Sequence, residues 1–159
     1  MVAAQVGELL QDYAARGVFR SFGAVDGGRQ RAEFRSLWHR GHLFSWQFDR
    51  SRPSLRIPCV LPGVPADSAM YRELRAWLRE RQSPDLPAHR RCDASRLRLR
   101  TYNRGGEVAL TATILDGDIE YAVHALVALV NELYLDFLSS GLYYEWLVDT
   151  FDLDPDWPW

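Results

Sequence analysis

Strict alternation of apolar and polar side chains, repeated in several short segments, is the feature that most limits the folds open to this chain. Over residues 30–39 and 42–49, the side chains that share one face of an extended chain are Ala32, Phe34, Ser36 and Trp38, followed by Phe44, Trp46 and Phe48. Because successive side chains of a β-strand point to opposite faces, this pattern predicts two strands with one buried face. The two-residue turn between them, at residues 40–41, predicts an antiparallel hairpin.

Further periodic segments complete the set of predicted elements. Strands are predicted over residues 18–25, 55–61, 96–102 and 107–115. Spacings of three and four residues predict helices over residues 2–15, from 67 or 68 to about 81, and from 116 or 118 to about 139. Pro58 lacks a backbone N–H, so its strand is expected at a sheet edge, or with that position facing away from its neighbour.

This succession of elements predicts an α+β protein. We expect an antiparallel sheet with helices packed on one face, in the order α-β-β-β(-β)-α-β-β-α. The 159 residues suit one domain, which we assign to residues 1–141. Residues 142–159 are predicted to be an acidic and aromatic extension packed on that domain, with a short helix over 142–151.

The long C-terminal helix is apolar on more than one side. One stripe is predicted to pack on the sheet and consists of Ile119, Val123, Leu126, Val130, Leu133 and Phe137. Val127, Tyr134 and Leu138 lie off that stripe, with Leu135 as a further candidate beside these three. A helix that is apolar on two sides is buried twice, so either the C-terminal extension or a second subunit should cover these three residues. We name them as the predicted contact of a homodimer, and the cover by the chain's own extension remains open.

Charge is distributed unevenly along the chain. All nineteen basic residues are arginines between Arg16 and Arg104, where eight acids accompany them, so this stretch has a net charge of +11. Residues 105–159 have a net charge of −11. Glu132 and Asp136 lie four residues apart near the negative end of the long helix, an arrangement that basic neighbours from the arginine-rich strands would relieve. Much of the polarity is therefore expected to be satisfied within the protein or its dimer.

Two rows of arginines are predicted to project from strand faces. They are Arg96, Arg98 and Arg100 in one strand, and Arg31 and Arg35 in another. Three interpretations remain open: arginines that are solvated beside the chain's own acids, a surface for an acidic protein segment, or a surface for nucleic acid or another phosphorylated ligand. Nucleic acid is disfavoured because the isoelectric point is about 6.1, whereas nucleic-acid-binding domains usually exceed about 9.

No pattern in the sequence points to catalysis, a metal or a cofactor. The candidate ligand pairs are isolated, and they are His39 with His42 and His89 with Cys92. Zinc sites usually need four ligands in paired spacings. No glycine-rich phosphate loop, nucleophile elbow or zinc-protease signature occurs. We therefore expect no enzymatic activity, no metal site and no cofactor.

The sequence also predicts a cytoplasmic protein. No stretch of about 20 residues is uniformly apolar, so no membrane span is expected. Residues 1–17 lack the pattern of a signal peptide. Cys59 and Cys92 are too few for a disulfide scaffold, and two reduced thiols fit the cytoplasm.

The order of elements resembles the type III secretion chaperone-like fold and, within it, the YbjN-type bacterial proteins, which are described as sensory-transduction regulators. The likeness spans roughly residues 3–140 and is carried by HLFSWQFD, SLRIPCVLPGV, MYRELRAWLRERQ, RLRLRTYNRGGEVALTATILDG and DIEYAVHALVALVNELYLDFL. The chain departs from the pattern in the extra strand before Asp26, in the loop at 82–94 and in the segment at 142–159. The resemblance implies a small cytoplasmic homodimer that binds protein segments without catalysis, and it offers no catalytic residues.

The expected function is therefore a non-enzymatic protein-binding module, chaperone-like or regulatory. It would act through homodimerisation and through capture of an acidic client segment at the arginine rows. The alternative is a binder of nucleic acid or of another phosphorylated ligand that uses the same arginines. A third hypothesis is a small enzyme whose spatially assembled pocket leaves no linear motif in the sequence.

Overall fold

The computed structural model describes residues 2–25, 30–139 and 142–152. The elements within these ranges are α1 (Val2–Ala15), β1 (Ser21–Val25), β2 (Arg31–Trp38), β3 (His42–Asp49), β4 (Ser54–Leu61), α2 (Ala69–Arg81), β5 (Leu97–Arg104), β6 (Glu107–Ile114), α3 (Ile119–Glu132) and α4 (Tyr144–Phe151). A 3-10 turn at His39–Gly41 joins β2 to β3, and a π-helical turn at Leu133–Phe137 continues α3. The predicted α+β class is confirmed, and the order of elements roughly matches the predicted one.

The six strands form one antiparallel sheet in the order β1-β2-β3-β4-β6-β5. Strand β5 therefore lies at one edge. One row of paired residues crosses the sheet from Phe48 through Leu55 and Ala112 to Leu99. The alternating apolar positions of separate strands thus join into a single buried face, called the inner face below.

Pro58 occupies an irregular part of an interior strand, so the expectation of an edge strand is wrong. Strand β4 lies between β3 and β6. Its pairing with β3 extends only to Arg56, and its register with β6 shifts between Ile57 and Leu61. Pro58 falls inside this shift, where its missing N–H interrupts no regular ladder.

Three helices cover the inner face. Helix α1 contacts β1, β2 and α3, while α3 contacts β4 and β6. Helix α2 meets β5 where the Tyr71 hydroxyl donates to Oγ1 of Thr101 over 3.3 Å. Ser36, the polar residue in the apolar alternation, is fully buried because its hydroxyl accepts the indole N–H of Trp46 over 2.8 Å.

The helix starts follow two capping residues. Ser68 Oγ accepts the backbone N–H of Tyr71 over 3.2 Å at the start of α2. Asp118 accepts the backbone N–H of Tyr121 over 3.0 Å at the start of α3. Each such cap is worth ~1 kcal/mol. The caps select Ser68 over Asp67 and Asp118 over Asp116 as the residues that begin the two helices.

The second apolar side of α3 is covered by the chain itself. Val127, Tyr134 and Leu138 are each less than 5% exposed, at 4%, 4% and 0%. The Tyr134 ring stacks on His39 at 4.6 Å, and its hydroxyl donates to the Val60 carbonyl over 2.7 Å. These three side chains have almost no surface left for a second subunit, so they cannot form the predicted dimer contact in this conformation.

Helix α4 packs against two parts of the domain. The indole N–H of Trp146 donates to the Gly63 carbonyl over 2.9 Å, and Tyr143 stacks on Phe137 with ring centroids 4.9 Å apart. The rest of the predicted extension, residues 153–159, lies outside the described residues. Within the described ranges, no helix has both the length and the apolar character needed to cross a bilayer.

Candidate binding site

Arg96 forms ion pairs within the chain and is therefore not available to a ligand as the predicted row requires. Strand β5 begins one residue later, and Arg96 forms ion pairs with Asp116 and Asp118 at 2.6 Å each. Its guanidinium also lies 3.7 Å from the ring centroid of Tyr121. The hydrogen bond to Asp116 raises the pKa of Arg96, and the same bond lowers the pKa of Asp116. Arg96 therefore ties the start of β5 to the start of α3.

Arg98 and Arg100 project from the sheet face opposite the helices, called the outer face below. They pair across β6 with Thr113 and Thr111, and Arg56 lies on the other side of Thr111. Two strand spacings, roughly 10 Å, separate the backbones of Arg56 and Arg100. Among the described residues, none of these three exposed arginines has an acidic partner. Arg56 was not among the predicted site residues, because only the sheet order brings its strand close to β5.

Arg31 and Arg35 lie on the same outer face, but in a part of the sheet that carries acids. Arg35 lies 3.9 Å from Glu33, and Arg31 pairs across the strands with Asp49. The Ser45 hydroxyl donates to Glu33 over 2.6 Å, and this bond is the main reason that the pKa of Glu33 is lowered. The positive charge of the outer face is thus compensated near β2, while at the β5 side of the sheet Arg56, Arg98 and Arg100 lack an acidic partner among the described residues.

A solvent-open groove of about 550 Å³ runs between α2 and the β5 edge. Its lining includes Tyr71 and Leu78, both buried, together with the half-buried Leu99. Three exposed arginines from the two elements also line it, and they are Arg75, Arg79 and Arg100. Among the residues that the structure describes, no acid contributes to this lining. An apolar floor with a cationic rim suits a ligand that carries both apolar and negative groups.

Two of the histidines make structural contacts, and both cysteine thiols are at least partly buried. His42 Nε2 lies 2.9 Å from the Cys59 carbonyl oxygen, and the ring of His124 contacts the Tyr13 hydroxyl. Burial raises the pKa of Cys59 and of Cys92 to about 11, so both thiols stay protonated at neutral pH. In the part of the chain that the structure describes, no three His, Cys, Asp or Glu side chains are grouped so that they could hold a metal ion.

Comparisons with known proteins return no match to this chain. No family model, no curated protein and no solved structure is similar to it. The likeness to the YbjN-type proteins therefore stays an expectation from the sequence. The function has to be inferred from the groove and from the arginines around it.

Proposed function

We propose that this protein is a non-enzymatic binding module that captures an acidic segment of another protein, as a chaperone or a regulator does. The observation that carries the proposal is the groove between α2 and β5, with its apolar floor and arginine rim. Arg75, Arg79 and Arg100 have no acidic partner within the described residues, so a ligand can supply one. The floor adds apolar contact chiefly through the half-buried Leu99, while Tyr71 and Leu78 contribute only the small exposed parts of their side chains.

The arginines would contribute selectivity more than affinity. An exposed ion pair is worth ~0.2–1 kcal/mol and is weakened by salt. Complementary charges mainly accelerate association and reject the wrong partner. An acidic segment that carries apolar side chains should therefore bind, whereas a basic segment of the same shape should be rejected.

Homodimerisation and a cytoplasmic location remain parts of the proposal, as the resemblance implies. The subunit contact must lie away from Val127, Tyr134 and Leu138, which are buried within one chain. Light scattering at high micromolar concentration tests the dimer. A mass near 18.3 kDa, that of one chain, would contradict it.

The capture of an acidic segment is tested by fluorescence anisotropy with a labelled peptide of aspartate and valine at low salt. Reversing charge in Arg75→Glu with Arg79→Glu should weaken binding roughly tenfold, because two pairs of up to ~1 kcal/mol each are lost and repulsion replaces them. Arg20→Glu with Arg52→Glu makes the same change in net charge away from the groove and should alter affinity by less than about twofold. Equal losses in both variants, or no binding by the wild type, would refute the proposal.

A phosphorylated ligand or single-stranded nucleic acid is the second candidate. It is favoured by Tyr102, which is 62% exposed and follows Arg98 and Arg100 on the outer face. A base can stack on such a ring while phosphates meet the arginines. Binding of single-stranded RNA that falls steeply between about 50 and 200 mM salt would support this candidate. No retardation of RNA or DNA at low salt would exclude it.

A further inference from the structure

The edge of β5 presents an unpaired stretch of backbone to the groove. The backbone N–H and carbonyl of Leu97 point away from β6. The carbonyl accepts the Gln82 side-chain amide over 2.9 Å, and the N–H donates to the Asp93 carbonyl over 2.9 Å. In an antiparallel pair, alternate residues direct both backbone groups to the same side of the strand. Leu99 and Thr101 therefore also face outward, and no hydrogen bond to these backbone groups is made within residues 2–25, 30–139 and 142–152.

Other parts of the chain border both ends of this unpaired stretch, and at one end they occupy its backbone groups. Gln82 and Asp93 occupy the backbone groups of Leu97 at one end. At the other end the Asn103 side-chain amide donates to the Val64 carbonyl over 2.7 Å. The open backbone is thus limited to the residues that border the groove. An added strand would lie about 4.8 Å from β5, between it and α2.

The side chains around this edge specify what such a strand should carry. Its residues on the inner side would meet Leu99 together with Leu78 and Tyr71 of α2. Its residues on the outer side would lie beside Arg98 and Arg100, which have no acidic partner in the described ranges. Because side chains alternate along a strand, the matching sequence alternates apolar and acidic residues.

We propose that the groove takes up an extended segment of a partner protein as a seventh strand on β5, and that the segment alternates apolar and acidic residues. This inference rests on the proposed function and adds the mode of binding and the sequence pattern. Strand addition of this kind takes its affinity from main-chain hydrogen bonds and its specificity from alternate side chains.

A second copy of this chain fits the edge poorly. If two β5 strands pair antiparallel through Leu99 and Thr101, every register that keeps Leu99 opposite itself or opposite Thr101 places arginine opposite arginine. The first register places Arg98 opposite Arg100, and the second places Arg100 opposite Arg100. Like charges directly opposite each other destabilise a pair of strands. The arginines that oppose self-pairing are the ones that an acidic strand would neutralise.

The backbone contacts are tested with the full chain and a labelled peptide of about ten alternating aspartate and valine residues, followed by anisotropy at low salt. Two versions carry N-methyl groups, one on all valine nitrogens and the other on all aspartate nitrogens. Since the amides of a strand point alternately to its two sides, one version should lose about tenfold or more in affinity and the other less than about threefold. Equal effects of both methylations, with the parent peptide still bound, would overturn strand addition and leave the proposed function intact.

The pattern is tested by charge exchange. Arg98→Glu with Arg100→Glu should reject the aspartate peptide and bind an alternating lysine–valine peptide instead. Arg31→Glu with Arg35→Glu changes the same face at a distance from the groove, so it should retain the preference for aspartate. An exchange of preference in both variants, or equal binding of a peptide with its aspartates and valines in two separate blocks, would overturn the proposal. Failure of the parent peptide to bind at all would instead reject the proposed function.

Amide hydrogen exchange shows where on the protein the peptide binds. Leu99 and Thr101 should exchange more slowly when the alternating peptide is bound, and amides at the β1 edge should not change. If these two amides are already protected without peptide, in a particle of twice the mass of one chain, a second copy occupies the edge and the proposal is wrong.

Discussion

Removing the carboxylate of Glu132 should destabilise the protein, because it leaves a buried arginine without its counter-ion. Arg81 Nη1 lies 3.1 Å from Glu132 Oε2, and the Arg81 side chain is 7% exposed. The guanidinium lies 5.0 Å from the Trp77 ring centroid, and its Nε has no hydrogen-bond partner in the described residues. The pair also neutralises Glu132 near the C-terminal end of the long helix. The sequence predicts an arginine from the strands in this role, whereas the structure supplies one from α2.

The magnitude follows from the burial of the two partners. Removing one partner of a fully buried ion pair costs ~3–5 kcal/mol, and a hydrogen bond to a charged group is worth ~1.5–3 kcal/mol. The Glu132 side chain is 32% exposed, so water reaches the pair and the lower figure applies. We expect Glu132→Ala to lower the free energy of unfolding by about 2 kcal/mol, which would shift the urea midpoint by roughly 1 M.

Urea denaturation followed by tryptophan fluorescence measures this loss. Arg81→Met combined with Glu132→Ala should recover stability to within about 1 kcal/mol of the wild type, since an apolar side chain needs no counter-ion. Asp12→Ala is the matched control, because it removes an exposed ion pair to Arg16 and should change stability by less than about 0.5 kcal/mol. A loss below about 0.5 kcal/mol for Glu132→Ala, or a double variant no more stable than the single one, would refute the reasoning.

Three further predictions concern the half-buried His39, the buried Ser36, and Arg96, which is paired within the chain. Burial, aided by Arg40, lowers the pKa of His39 from 6.5 to about 4. Neutral His39 therefore stabilises the fold above about pH 6.5, and about 2 kcal/mol should be lost between pH 7 and pH 5 in urea titrations of the wild type but not of His39→Gln. Ser36→Ala should cost ~1–3 kcal/mol in the same assay, because the buried Trp46 N–H loses its acceptor. Arg96→Ala should lower the urea midpoint while peptide affinity stays within about twofold of the wild type, since Arg96 is paired internally.

Much of the fold could be predicted because its determinants are local. The alternation around Phe34 and Trp46 and the helical spacing around Leu126 set which side chains share a face, and the structure buries all three. Even Ser36, a polar residue in an apolar alternation, follows the pattern, since the facing strand supplies the Trp46 N–H. Such periodicities are properties of the backbone itself and need no knowledge of distant contacts.

The candidate site could be predicted only in part. The polar positions of β5 were correctly placed on one face. The strand begins one residue later than predicted, however, so Arg96 precedes it and forms an ion pair with Asp116. Arg75 and Arg79 occupy exposed positions of α2, and the sequence alone gave no reason to connect them with Arg100. A groove between two elements exists only once those elements are packed together.

The sequence by itself determined the α+β class, the strand faces and the uneven distribution of charge, because each follows from spacing along the chain. The tertiary structure decided which charges meet and which remain unpaired. The β4–β6 pairing placed the strand of Pro58 inside the sheet and β5 at its edge. The packing of α2 brought Arg81 into contact with Glu132. These outcomes depend on contacts between residues far apart in the chain, for which local periodicity carries no information.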